Sequence, residues 1–326
     1  MPGLMIPLLF TGGTISMRHD VALGGAVPAL SGREIVAATR GIEDIADVEL
    51  EEWGAFPGPH MTVERMWALR CRIAELLARP EVAGVVATHG TDSLEETAYL
   101  VARSVETDKP VVFTGAMRTA SDLGWDGPAN LLDAVRVAAS PDARGYGVMV
   151  VMAGRIFAGI DVTKAHTQLL DAFESPGVGP IGVIDDGALI FRRALPPPPP
   201  LLAPSRPATP VDILYAWAGS DDRLLDASRC AAVGAVVAAM GRGNVPPAMV
   251  PGIERWVADG KPIVIASRAQ RGRVGRTYGY PGGGRRLWEL GAILSGGRRP
   301  QQARIDLMLA LGSGMTPPEV RGVFEG

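Results

Sequence analysis

With 326 residues, 47% of them hydrophobic and 21% charged, the chain has ordinary globular composition, and its length predicts about two domains, each able to bury a core. A net charge of −3 supplies no field that favours nucleic acid or an anionic membrane, so neither partner is expected; Arg271 to Arg276 and Arg298–Arg299 read as solvated loop charges. Two distant cysteines, Cys71 and Cys230, exclude a disulfide framework and read as free core thiols, and His19, His60, His89 and His166 show no metal-ligand spacing, so no metal or cofactor is expected.

The apolar start, Met1 to Phe10, lacks a positively charged leader and a small-residue cleavage site, and reads as a first buried strand. No run of about 18 apolar residues follows, so no membrane span is predicted and the cytoplasm is the expected compartment. In chain order, short apolar runs predict strands at Met5 to Phe10, Val82 to Ala87, Pro110 to Thr114 and Gly147 to Met152. Helical patterns lie between them at Val63 to Ala78, Leu94 to Val105 and Pro128 to Ala139. In the first helix, Met66, Leu69, Ile73, Leu76 and Leu77 form one apolar stripe. Continuous apolar strands alternating with helices predict an α/β fold with a mostly parallel sheet flanked by helices. Pro180 to Arg193 reads as a hairpin turning at Asp186-Gly187. The proline-rich stretch 195–210, with its run Pro196 to Pro200, cannot continue a helix or a central strand and predicts a stiff linker. It separates a larger domain, 1–194, from a smaller α/β domain, 211–326. The latter shows strand patterns at Val211 to Trp217, Ala232 to Ala239 and Pro262 to Ala266, and helices at Arg223 to Arg229, Met249 to Asp259 and Pro300 to Leu311.

Three polar clusters each follow a predicted buried strand, where ligands gather in open parallel sheets. They are Thr11-Gly12-Gly13-Thr14, Thr88-His89-Gly90-Thr91-Asp92-Ser93 with Glu95-Glu96 behind it, and Thr114-Gly115-Ala116-Met117-Arg118. Each also has a structural explanation: paired glycines make tight turns, and a Ser, Thr or Asp followed by Glu caps a helix. Neither a P-loop lysine nor GxGxxG spacing is present, which argues against nucleotide binding. A fourth segment, Asp161-Val162-Thr163-Lys164, reads as a loop. Together these segments offer two threonines, an acid and a lysine. A threonine hydroxyl needs assistance to act as a nucleophile. Thr91, Asp92 and Lys164 form a candidate relay, in which the Asp92 carboxylate favours a charged Lys164 that orients Thr91. The backbone N–H groups of Thr91 and Ala116 are candidate oxyanion donors, with Gly13 and Gly90 giving backbone access.

The strings TGGTIS, THGTDSLEETAYLV, KPVVFTGAMR, DGPANL and DVTK, followed later by GRGN and PQQARIDLMLAL, occur in the order seen in bacterial-type L-asparaginases, which the chain resembles over most of its length. The resemblance implies two α/β domains, a homo-oligomer (dimer or tetramer), no cofactor, and hydrolysis of L-asparagine to L-aspartate and ammonia through a threonine acyl-enzyme. Residue by residue, Thr14 matches the first-loop nucleophile, Thr91 the second threonine, Asp92 the acid that holds the substrate's amino group, and Lys164 the catalytic lysine. Ala116 matches a backbone contact, and Asn244 a residue given to a neighbouring subunit. The resemblance leaves both threonines open for first attack; Thr14 is taken as the nucleophile.

The chain departs from the family's pattern in three places. Gly58 stands where a substrate-holding serine is expected within Pro57-Gly58-Pro59-His60-Met61. The segment Ser16 to Leu30, read as a mobile lid, carries Arg18, His19 and Asp20 but no tyrosine. No acid clearly replaces the glutamate that reaches across the dimer, for which Glu289 is the candidate. These departures keep a second substrate class open: another amide, lactam or peptide-like compound cleaved by the same mechanism.

Overall fold

The computed structural model describes residues 5–195 and 202–325. The prolines from Pro196 to Pro200, expected as the stiffest part of the linker, lie outside the described residues. The chain divides into two compact units, residues 1–201 and 202–326, a boundary inside the 195–210 segment.

The first unit opens with β1 (Met5–Gly12), a small hairpin of β2 (Met17–Asp20) and β3 (Gly25–Pro28), α1 (Gly32–Ala38) and β4 (Asp47–Phe56). It continues with α2 (Val63–Leu77), β5 (Val85–Thr88), α3 (Leu94–Ser104), β6 (Val111–Thr114), α4 (Gly127–Ala139) and β7 (Val148–Met152). The short strands β8 (Arg155–Ala158), β9 (Thr163–Lys164), β10 (Phe173–Glu174), β11 (Gly182–Asp185) and β12 (Ala188–Phe191) complete it. Among the described residues one eight-stranded sheet runs in the order β12-β11-β8-β7-β6-β5-β1-β4. Its β7-β6-β5-β1-β4 part is parallel, and β8, β11 and β12 add antiparallel ladders.

The central strands are buried on both faces because helices cover both. Along β1, Ile6, Leu8 and Phe10 join one core with Ile35, Leu131, Ala134 and Val135, while Leu9 joins the opposite core with Leu69, Ile73, Leu94 and Val101. This is the two-residue period of a strand, with α1 and α4 on one side and α2 and α3 on the other. The α2 stripe is buried as expected, with Leu69, Ile73 and Leu76 at 0% exposure, each contributing about 1.5–3 kcal/mol over the exposed state. Thr62 starts α2 by accepting from the Arg65 N–H at 3.3 Å, a cap of the kind worth about 1 kcal/mol. The β11–β12 hairpin turns at Asp186 and Gly187, both at positive φ (48° and 75°), as a two-residue primed turn requires.

The second unit contains β13 (Val211–Tyr215), α5 (Arg223–Arg229), β14 (Gly234–Ala239), α6 (Val250–Ala258), β15 (Ile263–Ser267), α7 (Gly284–Glu289), β16 (Ile293–Leu294), α8 (Pro300–Gly312) and α9 (Pro317–Glu325). A four-stranded parallel sheet, in the order β13-β14-β15-β16, packs Val237, Ile265 and Leu294 with Ile253, Trp256 and Leu287. No helix among the described residues is long and apolar enough to cross a membrane.

Three expectations change, and a fourth gains structural detail. Cys230 is exposed and Cys71 half-buried, so neither is a core thiol: Cys230 sits at the end of α5, and Cys71 on the flank of α2 beside its apolar stripe. Arg298 is not a solvated charge. Its Nε donates to Asp306 Oδ2 at 2.7 Å, its Nη2 to the Val323 carbonyl at 2.8 Å, and Asp306 is fully buried, so the arginine neutralises an interior acid. Thr163–Lys164 is not a free loop but a two-residue strand paired with Phe173–Glu174. The segment Ser16 to Leu30 is largely a hydrogen-bonded hairpin, Met17 opposite Pro28.

Candidate active site

Because β6, β5, β1 and β4 are neighbours and parallel, the loops that follow them emerge side by side at one end of the sheet. These are the loops carrying Ala116, Thr91, Thr14 and Gly58. Their approach is closer than side chains permit. A Cβ added at Gly13 would lie 2.6 Å from the Gly90 Cα, and one at Gly90 would lie 2.4 Å from the Gly58 Cα. Gly13 also sits at φ 82°, a conformation that glycine adopts without strain. Backbone bonds tie the loops together: Gly13 N–H donates to the Phe56 carbonyl at 2.9 Å and His89 N–H to the Thr114 carbonyl at 2.8 Å. The Thr11 hydroxyl donates to the Thr88 carbonyl at 2.8 Å. Thr14 begins a short 3-10 turn, half-buried, directly after Gly13.

Lys164 connects the second loop to β9. Its ammonium donates to Thr91 Oγ1 at 2.8 Å and to Asp92 Oδ1 at 2.7 Å. Thr91 is 5% exposed, whereas the Asp92 side chain is 57% exposed. An ammonium has donors only, so Thr91 Oγ1 is the acceptor and its own proton turns away from the lysine. The Asp92 carboxylate neutralises that ammonium with one oxygen and stays open to a second cation.

Four supporting residues lie within the quoted motifs without a role assigned to them from sequence. Glu95, in the first turn of α3, accepts from the Lys164 backbone N–H at 2.7 Å and from the Thr163 hydroxyl. Asp126 accepts from the N–H groups of Met117 and Arg118, and Asn130 donates to the Gly115 carbonyl at 3.0 Å and to Asp126 Oδ2. The DGPANL string is therefore the brace of the Ala116 loop. His89 is fully buried, and burial pushes its pKa down to about 4. Its Nδ1 meets the Gly90 carbonyl at 2.8 Å, which fixes the proton there, and Nε2 accepts from the Thr97 hydroxyl at 2.9 Å. The helix-capping explanation of Ser93 does not hold. Ser93 makes no side-chain cap; its hydroxyl donates to the Gly58 carbonyl at 2.7 Å.

The structure brings Thr91, Asp92 and Lys164 into one bonded group, with Gly13, Gly58 and Gly90 stacked beside it. Ala116 is fully buried in the loop two residues past β6. Asn244 belongs to the second unit, half-buried, with its Oδ1 accepting from the Gly284 N–H at 3.3 Å. The Glu289 carboxylate is engaged by Arg285 and Arg286 of its own helix. Among the described residues, no group of three or more His, Cys, Asp or Glu side chains converges as a metal site needs.

Residues 5–196 match the family model described as Asparaginase, N-terminal, and residues 210–324 match the Glutaminase/Asparaginase C-terminal domain. The chain is 39% identical to a probable L-asparaginase of Deinococcus radiodurans over 98% of its own length and 96% of the relative's. It is 35% identical to an L-asparaginase of Bacillus licheniformis, covering 94% and 95% of the two chains. The crystal structure of a probable cytoplasmic L-asparaginase from Campylobacter jejuni superposes with a TM-score of 0.89 at 31% identity, over 98% of both chains.

Proposed function

Since the chain belongs to the asparaginase family, we propose that it hydrolyses the side-chain amide of L-asparagine, giving L-aspartate and ammonia through a threonine acyl-enzyme. The observation that carries the proposal is the Lys164 ammonium bonded to both Thr91 and Asp92, in a loop packed on the Gly13 bend that presents Thr14. Thr14 attacks the amide carbonyl, and the backbone N–H groups of Thr91 and Ala116 hold the oxyanion; one such donor is typically worth about 3–4 kcal/mol. Thr91, oriented by Lys164, passes protons between the nucleophile and the departing ammonia. Water then attacks the acyl-threonine by the same route and releases the acid. Asp92, with its carboxylate exposed, holds the substrate's α-ammonium.

Gly58 and the tyrosine-free hairpin are the features that favour a different amide, but the relatives, named for L-asparagine, do not favour that alternative. The family reading also carries a homo-oligomer, dimer or tetramer, in which Asn244 completes a neighbouring site; the cytoplasmic location rests instead on the likeness to the cytoplasmic Campylobacter jejuni protein, while a Haemophilus influenzae relative is described as periplasmic.

The test is ammonia release from millimolar L-asparagine by the purified protein and by Thr14→Ala. The wild type is expected to turn over and the variant to lose nearly all activity. Equal rates for the two would remove the proposal.

A further inference from the structure

We infer that Glu95 is a positioning residue: it fixes the main chain of Lys164 so that the ammonium stays on Thr91. The inference rests on the amide-hydrolase reading above and adds a residue to it.

Lys164 is held at both ends by the short stretch Thr91 to Glu95. Thr91 Oγ1 and Asp92 Oδ1 take its ammonium at 2.8 and 2.7 Å, and Glu95 Oε2 takes its backbone N–H at 2.7 Å. The same Glu95 oxygen accepts the Thr163 hydroxyl, so two consecutive residues of β9 hang from one carboxylate. A lysine side chain has several rotatable bonds, and its ammonium holds a target only where the root of the chain is also fixed. The other support of that root is one short antiparallel pairing, Thr163–Lys164 with Phe173–Glu174, continued where the Ala165 N–H donates to the Ala172 carbonyl at 2.7 Å. Hydrogen bonds to an ionised acceptor are the stronger kind. Glu95 is rooted in α3, the helix that opens directly behind Thr91 and Asp92. It therefore makes the lysine and its two acceptors one rigid circuit, and touches no substrate itself.

The experiment compares L-asparagine kinetics of the wild type with Glu95→Ala, Glu95→Gln, Lys164→Ala and the Glu95→Ala/Lys164→Ala double variant. Glu95→Ala is expected to lower kcat roughly 10- to 100-fold while KM stays within about twofold, the signature of misplaced machinery rather than lost binding. Glu95→Gln, whose amide oxygen accepts the same two bonds, is expected to recover most of the loss. The double variant is expected to be no slower than Lys164→Ala, because a residue that acts only through the lysine has nothing left to act on. Independent, multiplying losses, or a wild-type kcat in Glu95→Ala, would overturn the inference. Should Glu95→Ala fail to fold, Glu95→Asp serves in its place, since the shorter side chain keeps the charge and withdraws the acceptor. A crystal structure of the variant decides the matter without turnover: the Lys164 ammonium is expected to leave Thr91 Oγ1 by more than about 1 Å. An unmoved ammonium overturns the inference. A wild type inert toward L-asparagine sinks the functional proposal alone and leaves this structural arm to decide the rest.

Discussion

Thr91 is the residue whose loss is easiest to interpret. Its side chain is buried, its hydroxyl oxygen accepts from Lys164, and its methyl faces the Gly115 backbone. Thr91→Val keeps that shape and removes only the hydroxyl. The ammonium retains Asp92, so no buried charge is left unpaired. The expected outcome is a kcat lower by roughly 10²- to 10⁴-fold, the range for lost proton transfer, with a melting temperature within a few degrees of the wild type. Stopped turnover with an intact melt supports the relay; an active Thr91→Val removes it. At this scale the sequence offered residue types but not the geometry that joins them. Lys164 lies far along the chain from Thr91, and no local spacing predicts their bond; residue chemistry made them a candidate relay, and the family resemblance matched the same positions. Glu95 was hidden for a different reason. A carboxylate in the first turn of a helix already has a sufficient local explanation in capping and the helix dipole, so nothing in the pattern asked for a partner from β9.

Among the elements, legibility followed burial. Strands buried on both faces, such as β5, β6, β7, β14 and β15, are unbroken apolar runs and were readable as such. The edge strand β4 was not, because Asp47, Glu49, Glu51 and Glu52 break its apolar pattern, as charges on sheet edges commonly do. The pair β9–β10 is too short to show any period, yet it carries Lys164. The β2–β3 hairpin was read only as a mobile segment. It is braced where Ala29 and Leu30 N–H donate to the Ser16 carbonyl and where His19 N–H donates to Ser121 Oγ at 2.9 Å, while its tip leaves Val21 89% and Leu23 73% exposed. Exposed apolar residues at the tip, next to the loop that bears Thr14, suit closure over a bound substrate. Limited proteolysis is therefore expected to cut within Val21 to Gly24 in the free protein and to slow several-fold when millimolar L-aspartate is added. Cleavage indifferent to L-aspartate would count against closure.

For the molecule as a whole, one buried imidazole sets how stability responds to mild acid. His89 is neutral in the fold, with its pKa driven from 6.5 to about 4 by burial beneath the second site loop. The unfolded chain takes up that proton first, so the unfolded state gains as pH falls from 6.5 toward 4, and the stability lost over that whole window is about 3 kcal/mol. The acids held below their usual range act mostly beneath this window. Glu34, Glu81 and Asp108 are held below their usual range, Glu34 by its bonds to Ser31, Glu81 by its own backbone N–H and Asp108 by Arg144. Their stabilisation is lost only in stronger acid, as pH drops through the normal carboxylate range. Asp133, whose pKa is raised by burial against the opposing pull of Arg136, works in the other direction, since acid relieves the cost of its charge. The expected result is a urea midpoint that falls between pH 7 and pH 5 by the equivalent of about 2 kcal/mol. His89→Gln, which can still donate and accept hydrogen bonds but carries no titrating group, is expected to flatten that dependence. The same slope in wild type and His89→Gln would show that the acid response originates elsewhere. A flattened slope ties the acid sensitivity of the first unit to the residue on which the Gly90–Thr91 turn is built.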